Sequence, residues 1–208
     1  MRKIMFTRPK TRLGKAVLFT FPAICVAIAT SAFAVPASAD ELPVEETITT
    51  PMYVGGYNEE VAEANGFEIV IGEDGQPYSV AVTPEAQELE ANFEAPAAPG
   101  GISAFNIVYG WCGSSSLNIS RTFNGINVAT SYSVIAPTYW HNWNVSGASN
   151  RGGWSAGFSG ANANSYWSAT RFVNLGSYSS GFGQVSTGSY ALLVNGLICY
   201  SGGPSASF

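Results

Sequence analysis

Hydrophobic and polar positions alternate through much of the C-terminal half of this chain, with the period of a β-strand. Alternation over 105–111 predicts a strand buried on one face. Apolar runs flank an Asn-Gly pair within 117–134 and again within 190–200, and Asn-Gly favours the positive φ angles of a tight type I′ hairpin turn. Further strands are predicted at 154–158 and 166–173. Short strands punctuated by Gly, Asn and Ser predict an all-β C-terminal domain, a small antiparallel sandwich or barrel.

The preceding segment has a mixed pattern and predicts a small α+β or partly disordered unit. Residues 40–51 are acidic and rich in Pro and Thr, and we expect them to be extended. Asn58 and Thr83-Pro84 stand where a helix begins, and they predict helices over 59–64 and 85–93. Between these helices, two apolar runs around Gly72-Glu73-Asp74-Gly75 predict a hairpin with strands at 67–71 and 78–82.

The N-terminus has the three parts of a secretory signal peptide. Six basic residues end at Lys15, an uncharged run covers Ala16 to Ala34, and Ala37-Ser38-Ala39 precedes Asp40. We therefore expect cleavage after Ala39 and a secreted, extracellular protein from a bacterium. The alternative is an uncleaved membrane anchor, because the uncharged run is close to the length that spans a bilayer.

Charge is segregated along the chain, and this narrows the chemistry of the C-terminal domain. All fourteen carboxylates lie between Asp40 and Glu94, whereas residues 101–208 contain three Arg, one His and no Asp, Glu or Lys. Paired-carboxylate hydrolysis and carboxylate sites for Ca²⁺ or Mg²⁺ are therefore excluded within that domain. Three cations are too few to predict nucleic-acid binding. The acidic segment could act as a pro-segment that masks a cationic domain.

The number of cysteines is consistent with an exported protein. Cys25 would leave with the signal peptide, so Cys112 and Cys199 remain and are predicted to form one disulfide. The alternative is a metal site built from these two thiols and His141, although no ligand-spacing motif supports it. No cofactor-binding fingerprint is present, and we expect neither a cofactor nor a metal.

One short motif resembles a catalytic element. Gly153-Trp154-Ser155-Ala156-Gly157 matches the G-x-S-x-G pattern of a nucleophile elbow. The elbow requires a strand–turn–helix context, a histidine and an acid, whereas here the flanks are strand-like and the domain has no acid. We expect no enzymatic activity, and a serine hydrolase that uses Ser155 with His141 is a remote alternative.

The most unusual local feature is the run Tyr139-Trp140-His141-Asn142-Trp143. Tyr139, Trp140, His141 and Trp143 are candidate binding residues, because aromatic rings with polar handles suit sugars and membrane interfaces. The alternative is that one parity of this strand fills the core, since Trp is highly buried on average.

These patterns divide the chain into four parts: a signal peptide at 1–39, an acidic pro-segment or accessory domain at 40–94, a Pro/Ala/Gly linker at 95–101 and a β-domain at 102–208. The predicted function is non-enzymatic binding of an extracellular glycan, cell wall or surface protein. The alternative is a bacteriocin-like or membrane-active protein released from an acidic precursor. Glycine-rich sheet edges are also compatible with self-assembly of several copies of the chain.

Overall fold

A computed structural model describes residues 47–93 and 111–208 of the chain. Of the described residues, 61% lie in strands and 9% in helices, and they belong to one compact unit. The predicted all-β character of the C-terminal part is confirmed. The predicted signal peptide, the linker at 95–101 and the predicted strand up to residue 110 lie outside the described residues.

The elements predicted between residues 58 and 93 are all present. Two helices flank a two-stranded hairpin: α1 (Glu59–Ala64), β2 (Phe67–Ile71), β3 (Pro77–Ala81) and α2 (Pro84–Glu90). The Asn58 side chain accepts a hydrogen bond from the Val61 N–H, and the Thr83 hydroxyl accepts one from the Ala86 N–H. Both helices therefore begin where their capping residues place them, because these bonds satisfy N–H groups that have no partner within the helix.

All other described strands form one antiparallel sheet. They are β1 (Ile48–Tyr57), β4 (Gly113–Thr122), β5 (Gly125–Val134), β6 (Thr138–Ser149), β7 (Gly152–Asn162), β8 (Tyr166–Asn174), β9 (Gly181–Val185), β10 (Tyr190–Leu193), β11 (Leu197–Ser201) and β12 (Ser205–Ser207). The central order is β6-β10-β11-β1-β4-β5-β8. The long strand β6 pairs with β10 and then β9, which lie end to end along one edge, and with β7 along the other.

The predicted hairpins β4–β5 and β10–β11 are confirmed, but neither has the predicted Asn-Gly type I′ turn. In the second hairpin the pairing is centred on Asn195, and Gly196 has a positive φ angle whereas Asn195 does not. The first turn is displaced by one residue. Thr122 pairs with Gly125, so Phe123 and Asn124 form the turn instead of Asn124 and Gly125. Gly125 is required for a different reason from the one predicted, because its φ angle is not positive. A Cβ at this position would collide with the Val173 carbonyl oxygen of β8.

The sheet curls around a single main core. Buried and less buried positions alternate along β4 and β5, as expected for strands with one face turned inward. Strands β5 and β6 are far apart in the strand order, yet the Trp143 indole N–H on β6 donates a 2.9 Å hydrogen bond to the Thr130 hydroxyl on β5. The two strands therefore face each other across the core.

Strand β1 connects the acidic segment to this sheet. It pairs with β4 through Ile48–Met52 and with β11 through Met52–Tyr57. The predicted disulfide is confirmed: Cys112, just before β4, is bonded to Cys199 of β11, with Cα atoms 5.9 Å apart. A strand from the acidic segment thus lies hydrogen-bonded between two strands that a covalent cross-link holds together.

Candidate binding face

The structure separates the four candidate residues of the aromatic run. His141 and Trp143 are 3% and 0% exposed, whereas Tyr139 and Trp140 are 49% and 43% exposed. The cause is an irregularity in β6, which breaks the register with β10 between Leu192 and Leu193 and turns two successive side chains outward. The four residues do not share one surface.

The two buried members belong to an aromatic cluster in the interior. The Tyr132 ring lies 5.1 Å from that of Trp143 and 5.4 Å from that of Trp167, and the His141 ring lies 4.6 Å from that of Trp167. Such pairs stabilise a core beyond the area that they bury. Packing within this core cluster therefore explains why the His141 and Trp143 side chains are buried.

A hydrogen bond joins the two titratable groups of this cluster, and burial favours the neutral form of each. The Tyr132 hydroxyl is 3.3 Å from His141 Nδ1 and accepts a hydrogen bond from the Asn162 amide, also at 3.3 Å. Burial lowers the pKa of His141 and raises the pKa of Tyr132, because each charged form would lose its hydration. Both groups therefore fit a packed, uncharged core.

The outer side of the same strands carries a different set of aromatic residues. Tyr53 on β1 pairs with Tyr200 on β11, which pairs with Tyr190 on β10, so the three side chains form a row across three strands. A second row beside it begins with Trp140 on β6. We define the aromatic face as Tyr53, Trp140, Tyr190, Leu192, Ile198 and Tyr200.

Local packing fixes the rings of the aromatic face. The Tyr190 and Tyr200 rings are 5.8 Å apart with planes at 60°, a favourable edge-to-face arrangement. The Tyr200 ring lies against Gly55, where any Cβ would collide with it. Glycine at this position therefore allows the ring to lie flat along the strand.

Polar groups accompany these rings. Asn142 pairs with Tyr190, so its side chain lies on the same side of the sheet. Its amide oxygen accepts hydrogen bonds from the Asn144 amide at 3.1 Å and the Ser159 hydroxyl at 3.3 Å. None of the six residues of the aromatic face is charged. The face therefore combines apolar ring surface, phenol hydroxyls and a positioned amide, which suits an uncharged ligand with hydroxyl groups.

The sequence pattern indicated only one residue of this face, Trp140. The predicted hairpin alone does not bring Tyr190 and Tyr200 together, because a two-residue Asn195-Gly196 turn would set Tyr190 opposite Ser201. The two tyrosines pair because the loop is centred on Asn195 and is one residue longer. No local signal indicates Tyr53, since only the position of β1 brings it beside Tyr200.

A shallow groove lies elsewhere on the outer side of the sheet. It has a volume of about 170 Å³ and is lined chiefly by hydroxyl-bearing side chains of β4, β5 and β8, among them Ser116, Ser131, Tyr166 and Ser168. Its lining contains no charged residue and does not point to a particular ligand.

The remaining catalytic and metal alternatives lack the necessary geometry. Ser155 is exposed within strand β7, where the G-x-S-x-G pattern forms no turn, and buried His141 points to the opposite face of the sheet. Cys112 and Cys199 are used by the disulfide, and the described residues hold no group of three side chains suited to a metal ion. No helix within 47–93 or 111–208 has the length and apolar character to cross a membrane.

No protein-family model matches this chain, and neither a curated protein nor a solved structure is significantly similar to it. The functional argument therefore rests on the geometry described above.

Proposed function

We propose that this is a secreted, non-enzymatic protein that binds an extracellular glycan of a cell wall or cell surface through the aromatic face. One observation carries the proposal: four neighbouring strands place six uncharged, mostly aromatic side chains side by side on the outside of the sheet. Tyr53 and Trp140 are among the exposed large side chains of the described residues.

The chemistry of the face favours a sugar ligand. Aromatic rings can stack on the apolar faces of pyranose rings, while phenol and amide groups bond to sugar hydroxyls. The absence of charged side chains in the face suits a neutral polysaccharide better than an anionic one. A surface protein is the second possible target, because Tyr and Trp also recur at the centres of protein interfaces.

An extracellular location agrees with the cysteine chemistry. The Cys112–Cys199 disulfide indicates an oxidising environment, since disulfides persist outside the cytosol. We propose that residues 1–39 are the signal peptide that directs the chain there and that cleavage follows Ala39.

We further propose that the acidic segment remains part of the working protein. Its strand β1 is hydrogen-bonded on both sides, so its removal would leave β4 and β11 with unpaired backbone groups. This supports one binding unit over the release of a cationic, membrane-active domain. The curling of the sheet around one core favours a barrel over a sandwich.

Co-sedimentation tests the proposal. The full chain is mixed with purified bacterial cell walls, cellulose or chitin, and the bound fraction is compared with that of two variants. Trp140→Ala removes an exposed ring of the aromatic face, and we expect a loss of affinity of tenfold or more, as at an interface hot spot. Phe123→Ala is the matched control, because Phe123 is 82% exposed on the β4–β5 turn, outside the face.

The outcomes distinguish the possible targets. Equal retention of the wild type and Trp140→Ala by every polysaccharide that is bound would overturn the proposal. Binding to whole cells that protease treatment of those cells abolishes, without binding to isolated polysaccharide, would identify a surface protein instead.

A further inference from the structure

Strand β8 is a long and lightly protected sheet edge. Within 47–93 and 111–208, β8 pairs with β5 alone, through all nine residues from Tyr166 to Asn174 and without a register shift. Edge strands in natural proteins are generally blunted by Lys, Pro, bulges or shortness. Strand β8 contains no Pro, Lys, Asp or Glu, and its one charge is Arg171.

The two edges of β8 can be assigned to alternate residues. The Val134 N–H donates to the Ser165 carbonyl at 2.8 Å, and the Leu175 N–H donates to the Asn124 carbonyl at 3.2 Å. Because hydrogen-bonding residues alternate along an antiparallel strand, the odd-numbered residues of β8 direct their backbone groups toward β5. The even-numbered residues direct theirs to the free edge; they are Tyr166, Ser168, Thr170, Phe172 and Asn174.

We propose that this edge pairs with β8 of a second copy of the chain, antiparallel and centred on Thr170. This register sets Tyr166 opposite Asn174 of the second copy and Ser168 opposite Phe172 of the second copy. It engages the backbone groups of all five outward residues except the Tyr166 carbonyl, which already accepts a hydrogen bond from the Asn162 side-chain amide of its own chain at 3.1 Å. Shifting the centre to Ser168 or Phe172 would shorten the pairing. The contact is isologous, so it closes as a two-fold dimer.

The side chains are compatible with this pairing. Arg171 would stand opposite Ala169 of the second copy, so no charge directly faces a like charge. Its guanidinium is already held over the Phe158 ring of its own chain, at 4.9 Å from the ring centroid. On the outer face, the half-exposed ring of Phe172 would be covered by Ser168 of the second copy. The other candidate edges fit less well, because β12 has three residues and β7 is interrupted by several glycines.

Sedimentation equilibrium of the full chain over a wide range of concentration tests the dimer. Thr170→Pro removes an N–H that points to the free edge, while the bonds to β5 use its neighbours, and edge strands tolerate proline at such positions. We expect this variant to weaken dimerisation by tenfold or more. Thr170→Val is the matched control, because it retains the N–H and the β-branched shape and should dimerise as the wild type does.

Amide hydrogen exchange provides a second readout. The amides of Ser168, Thr170 and Phe172 should exchange slowly in the dimer and rapidly after dilution to monomer. A wild type that stays monomeric at all concentrations would overturn the proposal, as would protection of these amides in the monomer, which would mean that another part of the same chain covers the edge. If Thr170→Pro fails to fold, Ser168→Pro tests the same edge, and an unchanged dimer in a folded proline variant would also refute the pairing.

Discussion

Met52 connects the acidic segment with the main core. It is fully buried, and its backbone pairs with Gly113 of β4 on one side and Ser201 of β11 on the other. Met52→Ala removes three side-chain heavy atoms. At about 0.8 kcal/mol for each buried methylene-sized group, the lost transfer energy is about 2.4 kcal/mol. A residual cavity adds to this, so we expect a loss of about 3 kcal/mol in the free energy of unfolding.

Tryptophan fluorescence during urea unfolding measures how Met52→Ala changes the stability of the C-terminal sheet. All five tryptophans lie between residues 111 and 167, so their signal reports the C-terminal part of the chain and not the acidic segment. If β1 belongs to the same cooperative unit, the midpoint falls in Met52→Ala with little change in the slope. Ile71→Ala is the control, since Ile71 is 67% exposed in β2 and its truncation should change the free energy of unfolding by about 0.5 kcal/mol or less.

A different result would refute this reasoning. If the tryptophan transition of Met52→Ala coincided with that of the wild type, β1 would contribute nothing to the stability of the sheet. The acidic segment would then behave as the separable mask that the charge pattern suggests.

Three other perturbations have defined outcomes. Replacing Cys112 and Cys199 by Ser should cost about 4–5 kcal/mol of unfolding free energy on the chain-entropy model, given the 87-residue separation, and an unchanged urea midpoint would contradict this. Gly125→Ala should lower the free energy of unfolding by about 1–3 kcal/mol, because the added Cβ would collide with the backbone of β8. Gly160→Ala is the control, because a Cβ at Gly160 would lie in open space, and equal melting temperatures of the two variants would refute the collision. The pKa of His141 is lowered in the folded state, so the unfolded chain binds the proton more readily and stability falls as pH drops below the ordinary value of 6.5. In His141→Gln, the free energy of unfolding should therefore fall less between pH 7 and pH 5 than it does in the wild type. If the urea midpoints of the variant and the wild type depended on pH in the same way, His141 would not be the cause of the decline.

Elements stabilised by nearby residues could be predicted from the sequence. The helix caps at Asn58 and Thr83 act within three residues, and the β4–β5 hairpin is specified by two apolar runs beside a short turn. The disulfide was also predictable, because only two cysteines remain after residue 39. In each case the interaction can be recognised without knowledge of the strand order.

The position of β1 could not be predicted in this way. Met52 and Ser201 are direct partners although they are about 150 positions apart, and no local pattern specifies such a pairing. The aromatic face has the same origin, because its tyrosines are single residues in three different strands. The register break in β6 also reversed the expected orientation of Tyr139, since strict alternation would place it on the same side as His141.

The pairing of β1 with β11 has a consequence for the timing of folding. When the chain emerges from its N-terminus, β1 appears early, but one of its two neighbours lies within the last dozen residues. Pairings between such distant segments form slowly, because a large loop must close before any contact is gained. A chain with this topology remains open until its C-terminus is available. For the secretion proposed above, this delay would leave the sheet unclosed until β11 has crossed the membrane.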